Sequence, residues 1–306
     1  MDTRQRKSFS GVIGPVVTPF DGKTGDLAPD AFRGNLRAHF AHGASGVLLC
    51  GSTGEAALLD ESERDRLVEW ARPLVTGDQW LLAGVGGEST RQTIARATRA
   101  AERGADAILV VAPHYYGNAM SVDALGAHYR AVADASSVPV LLYNIPKYMH
   151  FALSAGLVRE LSAHANIVGI KDSSGDLDLL RGYLASQADG FAVLTGNGGT
   201  FLQALELGAS GGILAVSLLA GELSVAVWRA FQAGDRARAS ALQARLTPLS
   251  NEIVGGMGVP GVKAAMDQVG GGLTGGPPRP PLLPSPAAQR QRIAALLEAA
   301  GTARAA

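Results

Sequence analysis

The sequence predicts an α/β protein, a TIM-type (β/α)8 barrel with a C-terminal helical extension, and three observations carry that expectation. Eight short β-branched or aliphatic runs recur along the first 217 residues, and helix-like stretches separate them. The runs are continuously apolar, which is what strands buried on both faces of a parallel sheet require. The length of 306 residues exceeds the roughly 250 typical of such a barrel by enough for an appendage.

Taken in order, the runs are GVIGPVVTP (11–19), GVLLCG (46–51), WLLAGVG (80–86) and AILVVAP (107–113), then PVLLYNI (139–145), IVGIKDS (167–173), AVLTGN (192–197) and GGILAV (211–216). Between them, PDAFRGNLRAHFAHG, DESERDRLVEWARPLV and STRQTIARATRAAERG read as amphipathic helices, several stopping at glycine. These would clothe the outside of the barrel. A doubly wound sheet shares the alternation, but its dinucleotide-type glycine fingerprint is missing after the first run. Beyond residue 217 the pattern is wholly helical, except for the Gly- and Pro-rich stretch at 270–286, which predicts an extended loop. Residues 1–217 are therefore expected to form the barrel and residues 218–306 to complete and extend it as a single catalytic unit.

With 47% hydrophobic and 18% charged residues the chain can bury a large core. Its formal net charge of +0 offers no general attraction for phosphate backbones or acidic membranes, so neither nucleic acid nor membrane is an expected partner. The single cysteine, Cys50, cannot form an internal disulfide and sits in an apolar run, where a small buried hydrophobe is expected. The N-terminal stretch lacks an uninterrupted apolar region of the signal-peptide kind. GGILAVSLLAG is too short for the roughly 20 residues that cross a bilayer. A soluble, cytoplasmic protein is the expectation.

In parallel barrels the strand C-terminal ends form the reactive face. Lys171 ends the sixth run, Tyr143 the fifth, GSTGE (51–55) follows the second, and Tyr115 and Tyr116 follow the fourth. An amine among apolar groups loses hydration on protonation, which leaves more of it free to attack a carbonyl and form a Schiff base. A phenol can donate and accept protons during such chemistry. The small residues of GSTGE let backbone N–H groups and the hydroxyls of Ser52 and Thr53 converge on a carboxylate. Together these features read as a site for a 2-oxo acid. Singly, each has a structural alternative. Lys171 could pair with Asp172 or Asp176, Tyr143 could be a packed core phenol, and GSTGE could be a helix-capping turn.

The six histidines show no zinc-type spacing, and no metal is expected. GVGGES (84–89) and GNGGT (196–200) complete neither a dinucleotide nor a P-loop motif and read as barrel-top loops. A barrel lysine could hold pyridoxal phosphate, but no separate phosphate-binding motif favours it.

GSTGE, PHYY, YNIP and GIKDSSGD, in this order and at these strand ends, resemble the pyruvate-dependent class I aldolases, the family that includes dihydrodipicolinate synthase and N-acetylneuraminate lyase. The resemblance runs from GVIGPVVTPFD to about residue 285. It implies Lys171 as the Schiff-base lysine with no added cofactor, Tyr143 as the acid/base phenol, and Ser52 and Thr53 as the holders of the pyruvate carboxylate. Thr53 would also relay protons, and Tyr116 would reach across a subunit interface to complete that relay. Gly196, with Ile213 or Leu214, would line the pocket. The implied assembly is a homotetramer of two tight dimers acting on a small 2-oxo acid and an aldehyde.

Two positions depart from well-known members. Tyr148 in YNIPKYMH stands where dihydrodipicolinate synthase has an arginine for the carboxylate of its aldehyde substrate. Lys147 is adjacent, but successive side chains are expected to diverge, and an amine does not reproduce a guanidinium fork. Gly196-Asn197-Gly198 lacks the acidic pair that N-acetylneuraminate lyase uses for sugar hydroxyls. Within the family the chain is most similar to 4-hydroxy-2-oxoglutarate aldolase, where a serine two residues after the lysine, here Ser173, contacts substrate. The expected reaction is cleavage or formation of a short 4-hydroxy-2-oxo acid or 2-keto-3-deoxy acid, with release or use of pyruvate. The alternatives are 4-hydroxy-tetrahydrodipicolinate synthesis, dehydration of a keto-deoxy sugar acid, and non-catalytic binding of a 2-oxo acid.

Overall fold

All eight apolar runs become strands, and each strand occupies the early part of its run, so that the remaining residues lead onto one end of the barrel. The structure, a computed structural model, describes residues 8–187 and 190–302. The strands are β1 (Gly11–Pro15), β2 (Gly46–Leu49), β3 (Trp80–Gly84), β4 (Ala107–Val111), β5 (Val140–Asn144), β6 (Ile167–Asp172), β7 (Ala192–Thr195) and β8 (Gly211–Ile213). They pair in parallel and in sequence order, and β8 returns to β1 through Gly11↔Gly211 and Ile13↔Ile213, which closes the barrel. Consecutive residues such as Leu141 and Leu142 are both fully enclosed, as burial on both strand faces demands.

Helices α1 (Pro29–Ala41), α2 (Glu61–Ala71), α3 (Thr90–Glu102) and α4 (Val122–Ala135) follow the first four strands. A one-turn helix α5 (Pro146–Met149) and α6 (Ala155–Ser162) follow β5, and α7 (Leu177–Leu184) and α8 (Phe201–Leu207) follow β6 and β7. Local chemistry sets their starts. Ser89, Ser121, Ser154 and Asp176 each accept backbone N–H groups at a helix N-terminus, and Asp60 with Glu63 forms a capping box on α2.

The later helices are α9 (Gly221–Gln232), α10 (Arg236–Pro248), α11 (Gly258–Val269) and α12 (Ala287–Ala299), with a π-helical segment at Leu249–Met257 between α10 and α11. Their apolar faces form a second core with Val12, Phe201 and Leu214, including Val227, Ile253, Met266 and Ile293. The predicted loop at 270–286 runs back over the barrel and is held there. Asn35 and Thr274 exchange hydrogen bonds of 2.8 Å. The Arg279 guanidinium grips both Glu63 oxygens at 2.6 and 2.7 Å, donates to the carbonyls of Leu58 and Gly25, and stacks 4.1 Å from the centroid of Phe20.

Candidate active site

Strand alternation separates Lys171 from the carboxylate next to it. Lys171 and Tyr143 are register partners across β6 and β5, as are Asp172 and Asn144 one step on, so the two pairs point to opposite faces. On the second face Asn144 Nδ2 donates to Asp172 at 2.7 Å, and the Ser174 amide and hydroxyl donate to the same carboxylate at 3.1 and 2.8 Å. Burial raises the Asp172 pKa above the ordinary aspartate range, against these hydrogen bonds. Asp176 is occupied as the N-cap of α7. Among the described residues neither aspartate pairs with Lys171, whose amine lies instead 4.2 Å from the centroid of the Tyr143 ring. Lysine and tyrosine are each 5% exposed.

GSTGE forms a tight turn whose shape is imposed from both sides. Ser52–Gly54 is a single 3-10 turn, and Glu55 follows in the left-handed region at φ 57°. Thr18 Oγ1 donates to the Gly54 carbonyl at 2.7 Å. A Cβ on Gly54 would lie 2.8 Å from the Val16 carbonyl oxygen, so only glycine lets the turn sit this close to β1. Glu55 points inward to an ion pair of 2.5 Å with Lys263 of α11. A helix-capping turn was the alternative reading of this motif, but none of its side chains caps α2, which starts at Asp60.

Ser52, Thr53, Tyr143, Lys171, Ser173, Gly196 and Ile213 meet around one cavity of about 340 Å³ at the C-terminal end of the strands. Gly196 is a close-approach position, because a Cβ there would lie 3.0 Å from Lys171 Cε and 1.9 Å from Ser173 Oγ. Two expected residues are elsewhere. Leu214, one step beyond Ile213, is fully enclosed in the second core and does not line the cavity. Tyr116 is 69% exposed and packs edge-to-face on Tyr115 with ring centroids 5.0 Å apart. That pair borders a separate surface depression with His114, Met149 and Phe151.

Several lining residues escaped the sequence reading. Ser250, Asn251, Val254 and Gly255 come from the π-helical segment, and Gly258, Val259 and Val262 from α11, in a stretch that reads as an appendage. The repeated glycines and Pro260 around 255–260 are the only sequence signal of it. Lys147 and Tyr148 both line the cavity, contrary to the expected divergence of neighbouring side chains. The reason is local: Pro146 starts the helical turn α5 at this point, so the chain is no longer extended. Cys50 is buried and its thiol is pushed up to about 11 by desolvation, which leaves it an inert small hydrophobe. Among the described residues no cluster of three or more His, Cys, Asp or Glu could hold a metal, and no helix is long and apolar enough to cross a membrane.

The sequence profile described as the dihydrodipicolinate synthetase family matches residues 8–300. The chain belongs to that family. It is 34% identical over 275 residues to the 4-hydroxy-tetrahydrodipicolinate synthase of Methanopyrus kandleri, covering 90% of each chain. It is 38% identical over 294 residues to 4-hydroxy-tetrahydrodipicolinate synthase 1 of Streptomyces coelicolor, covering 96% of this chain and 93% of that one. Among solved structures it is similar to an Escherichia coli K12 prophage protein of the dihydrodipicolinic acid synthase family, solved in complex with pyruvate. The TM-score is 0.90 and the identity 29%, with 96% of this chain and 99% of the other covered. As a member of the dihydrodipicolinate synthetase family, the protein is a lyase of the class I aldolase type.

Proposed function

We propose that the protein joins pyruvate to a short aldehyde, or releases it from the product, through an imine on Lys171. The product of the addition is a short 4-hydroxy-2-oxo acid. The observation that carries this reading is the enclosed Lys171 amine, 4.2 Å from the Tyr143 ring centroid and without a carboxylate partner among the described residues. Ser52 and Thr53 line the same cavity as carboxylate holders, and a pyruvate complex of a family member supports the choice of 2-oxo acid.

In this scheme the neutral amine attacks the C2 carbonyl of pyruvate, one proton is taken up and water leaves, giving the iminium ion. Loss of a proton from C3 forms the enamine. The C3 carbon then bonds to the aldehyde carbon, and the aldehyde oxygen takes a proton from the Tyr143 hydroxyl to become the C4 hydroxyl. Water adds back at C2 and frees the amine. Thr53 passes the protons exchanged with Tyr143. Tyr116, exposed on one chain, completes that relay from a neighbouring subunit of a homotetramer.

Incubation with pyruvate and borohydride, followed by intact mass and peptide mapping, tests the proposal. The expected result is one reduced pyruvate adduct on Lys171. An unchanged mass, or an adduct elsewhere, overturns it.

The names of the curated relatives favour a second reading, 4-hydroxy-tetrahydrodipicolinate synthesis. Tyr148 at the position of the expected arginine weighs against it. Product analysis separates the two, because the synthase yields a nitrogen heterocycle and the aldolase an open-chain 4-hydroxy-2-oxo acid.

A further inference from the structure

We infer that Asn144 and Asp172 are positioning residues, a clamp across β5 and β6 that keeps the Lys171 amine and the Tyr143 phenol on the same face of the sheet. This inference rests on the imine reading above and deepens it by naming what sets the reacting pair in place. The two strands do not keep one register. Val140 pairs with Ile167 but Leu141 with Gly169, so β6 carries one extra residue, Val168, at that point. Beyond this step Tyr143 stands opposite Lys171, and Asn144 opposite Asp172. Without the extra residue the same pairing would run on to set Ile170 opposite Tyr143 and Lys171 opposite Asn144. A shift of one residue turns every side chain of a strand to the other face. The amine and the phenol would then lie on opposite sides of the sheet.

The groups that pin this stepped register lie behind the site. Asn144 Nδ2 donates to Asp172 Oδ1 at 2.7 Å, and the Ser173 amide donates to the Asn144 carbonyl at 2.8 Å. The Asn144 side chain is used at both ends, because its Oδ1 accepts the Leu153 amide at 3.0 Å. A side-chain amide can give and take in this way, which a carboxylate of the same shape cannot. Asn144 is 0% and Asp172 2% exposed, so water cannot stand in for either bond. Among the described residues Asp172 has no cationic partner, and its oxygens are filled by donors from Asn144 and Ser174. Burying a carboxylate without a counter-charge is costly, and what Asp172 contributes in return is the tie between the strand ends. The stepped strand is also seated closely on β7. The Asp172 carbonyl accepts the Gly196 amide at 2.5 Å, and a Cβ on Gly169 would lie 2.5 Å from the Ala192 carbonyl oxygen.

Deuterium exchange into the methyl group of pyruvate in heavy water, followed by proton NMR, tests the clamp. It reads imine and enamine formation and needs no aldehyde. Asn144→Leu, shown to be folded by circular dichroism, should lower kcat for exchange by about ten- to a hundredfold, the cost of misplacing reacting groups by about an ångström. KM for pyruvate should change by less than about threefold, since Ser52 and Thr53 stand on another loop. Asp172→Asn keeps an oxygen for Asn144 and an amide for the Ser174 hydroxyl, so it removes the charge and leaves the tie. It should exchange at least about fivefold faster than Asn144→Leu. If Asn144→Leu does not fold, Asp172→Ala, which opens the clamp from the other strand, is judged by the same criteria. A merely structural role would lower the urea midpoint and leave kcat of the folded variant less than about tenfold below wild type, and that result overturns the inference. So does a loss confined to KM, or an Asp172→Asn enzyme as slow as Asn144→Leu, which would make charge the working property. The borohydride adduct at Lys171 keeps the two readings apart: a wild-type adduct with unaffected variants sinks only this inference, and a wild type with neither adduct nor exchange sinks both.

Discussion

Glu55 and Lys263 form a buried ion pair, Oε1 to Nζ 2.5 Å, between the turn that carries Ser52 and Thr53 and the helix that carries Val259 and Val262. Their side chains are 0% and 1% exposed. The amine also donates to the Pro277 carbonyl at 2.8 Å and sits 4.5 Å from the Phe20 ring centroid. Removing one partner leaves a charge with neither water nor counter-ion. Lys263→Met should therefore cost about 3–5 kcal/mol in urea unfolding. The double variant Glu55→Gln/Lys263→Met should lose less than Lys263→Met alone, because no uncompensated charge remains. Additive losses would show that the pair acts through packing and not through charge.

Tyr143 and Lys171 should separate into two steps by mutation. Lys171→Ala should abolish both the pyruvate adduct and turnover. Tyr143→Phe keeps the ring against the amine and removes only the hydroxyl, so the adduct should still form. Turnover should fall by about a hundredfold or more, the range of a lost general acid. Equal turnover of Tyr143→Phe and wild type would remove the phenol from proton transfer.

Gly196 tests how closely the lysine is packed. In Gly196→Ala the added carbon meets Ser173 Oγ at 1.9 Å and Lys171 Cε at 3.0 Å. The serine hydroxyl can rotate aside, but Ser173 Cβ, also at 3.0 Å, and the lysine then have to give by a few tenths of an ångström. Adduct formation should slow by up to about a hundredfold with the fold intact by circular dichroism. Pairing the change with Ser173→Ala should restore part of the rate.

His39 sets an acid limit on stability. It is 2% exposed, its Nε2 has no hydrogen-bond partner among the described residues, and burial, with a smaller contribution from His42, pulls its pKa down to about 3. The unfolded chain binds this proton near pH 6.5, whereas the folded chain does not until far lower. Stability is thus present above that pH and is lost as pH falls from about 6.5 toward 3. Between pH 7 and pH 5 the loss from this group should be about 2 kcal/mol. His39→Leu should show a correspondingly smaller drop in chemical denaturation at pH 5, and an identical pH slope would assign the acid sensitivity elsewhere.

The barrel is legible in the sequence because burial on both faces turns each strand into an unbroken apolar run, as in AILVVAP and PVLLYNI. Strand ends are legible for the same reason: a lysine or tyrosine that closes such a run has nowhere to go but the mouth of the barrel. That argument brings Lys171 and Tyr143 to the mouth, and Ser52 and Thr53, just past their run, line the same cavity; their roles come from the resemblance and not from the strand ends. What hides from the sequence is any contact made between distant segments. Glu55 looks like part of a turn, Lys263 like a polar helix residue and Arg279 like a loop cation, and nothing in their neighbours announces that they converge. The π-helical segment is nearly as silent, with the glycines and Pro260 around 255–260 as its one hint. Leu214 shows the converse limit, since one step along the chain past Ile213 is enough to turn a side chain from cavity to core.

The tie between Arg279 and Glu55 spans 224 positions of sequence. Contacts that far apart form slowly, since a long stretch of chain must be closed before they return any stabilisation. The turn bearing Ser52 and Thr53 is synthesised early but acquires its final surroundings only when the 270–286 segment has emerged and docked. On a translating ribosome, that turn stays unbraced until the chain has grown past the 270–286 segment.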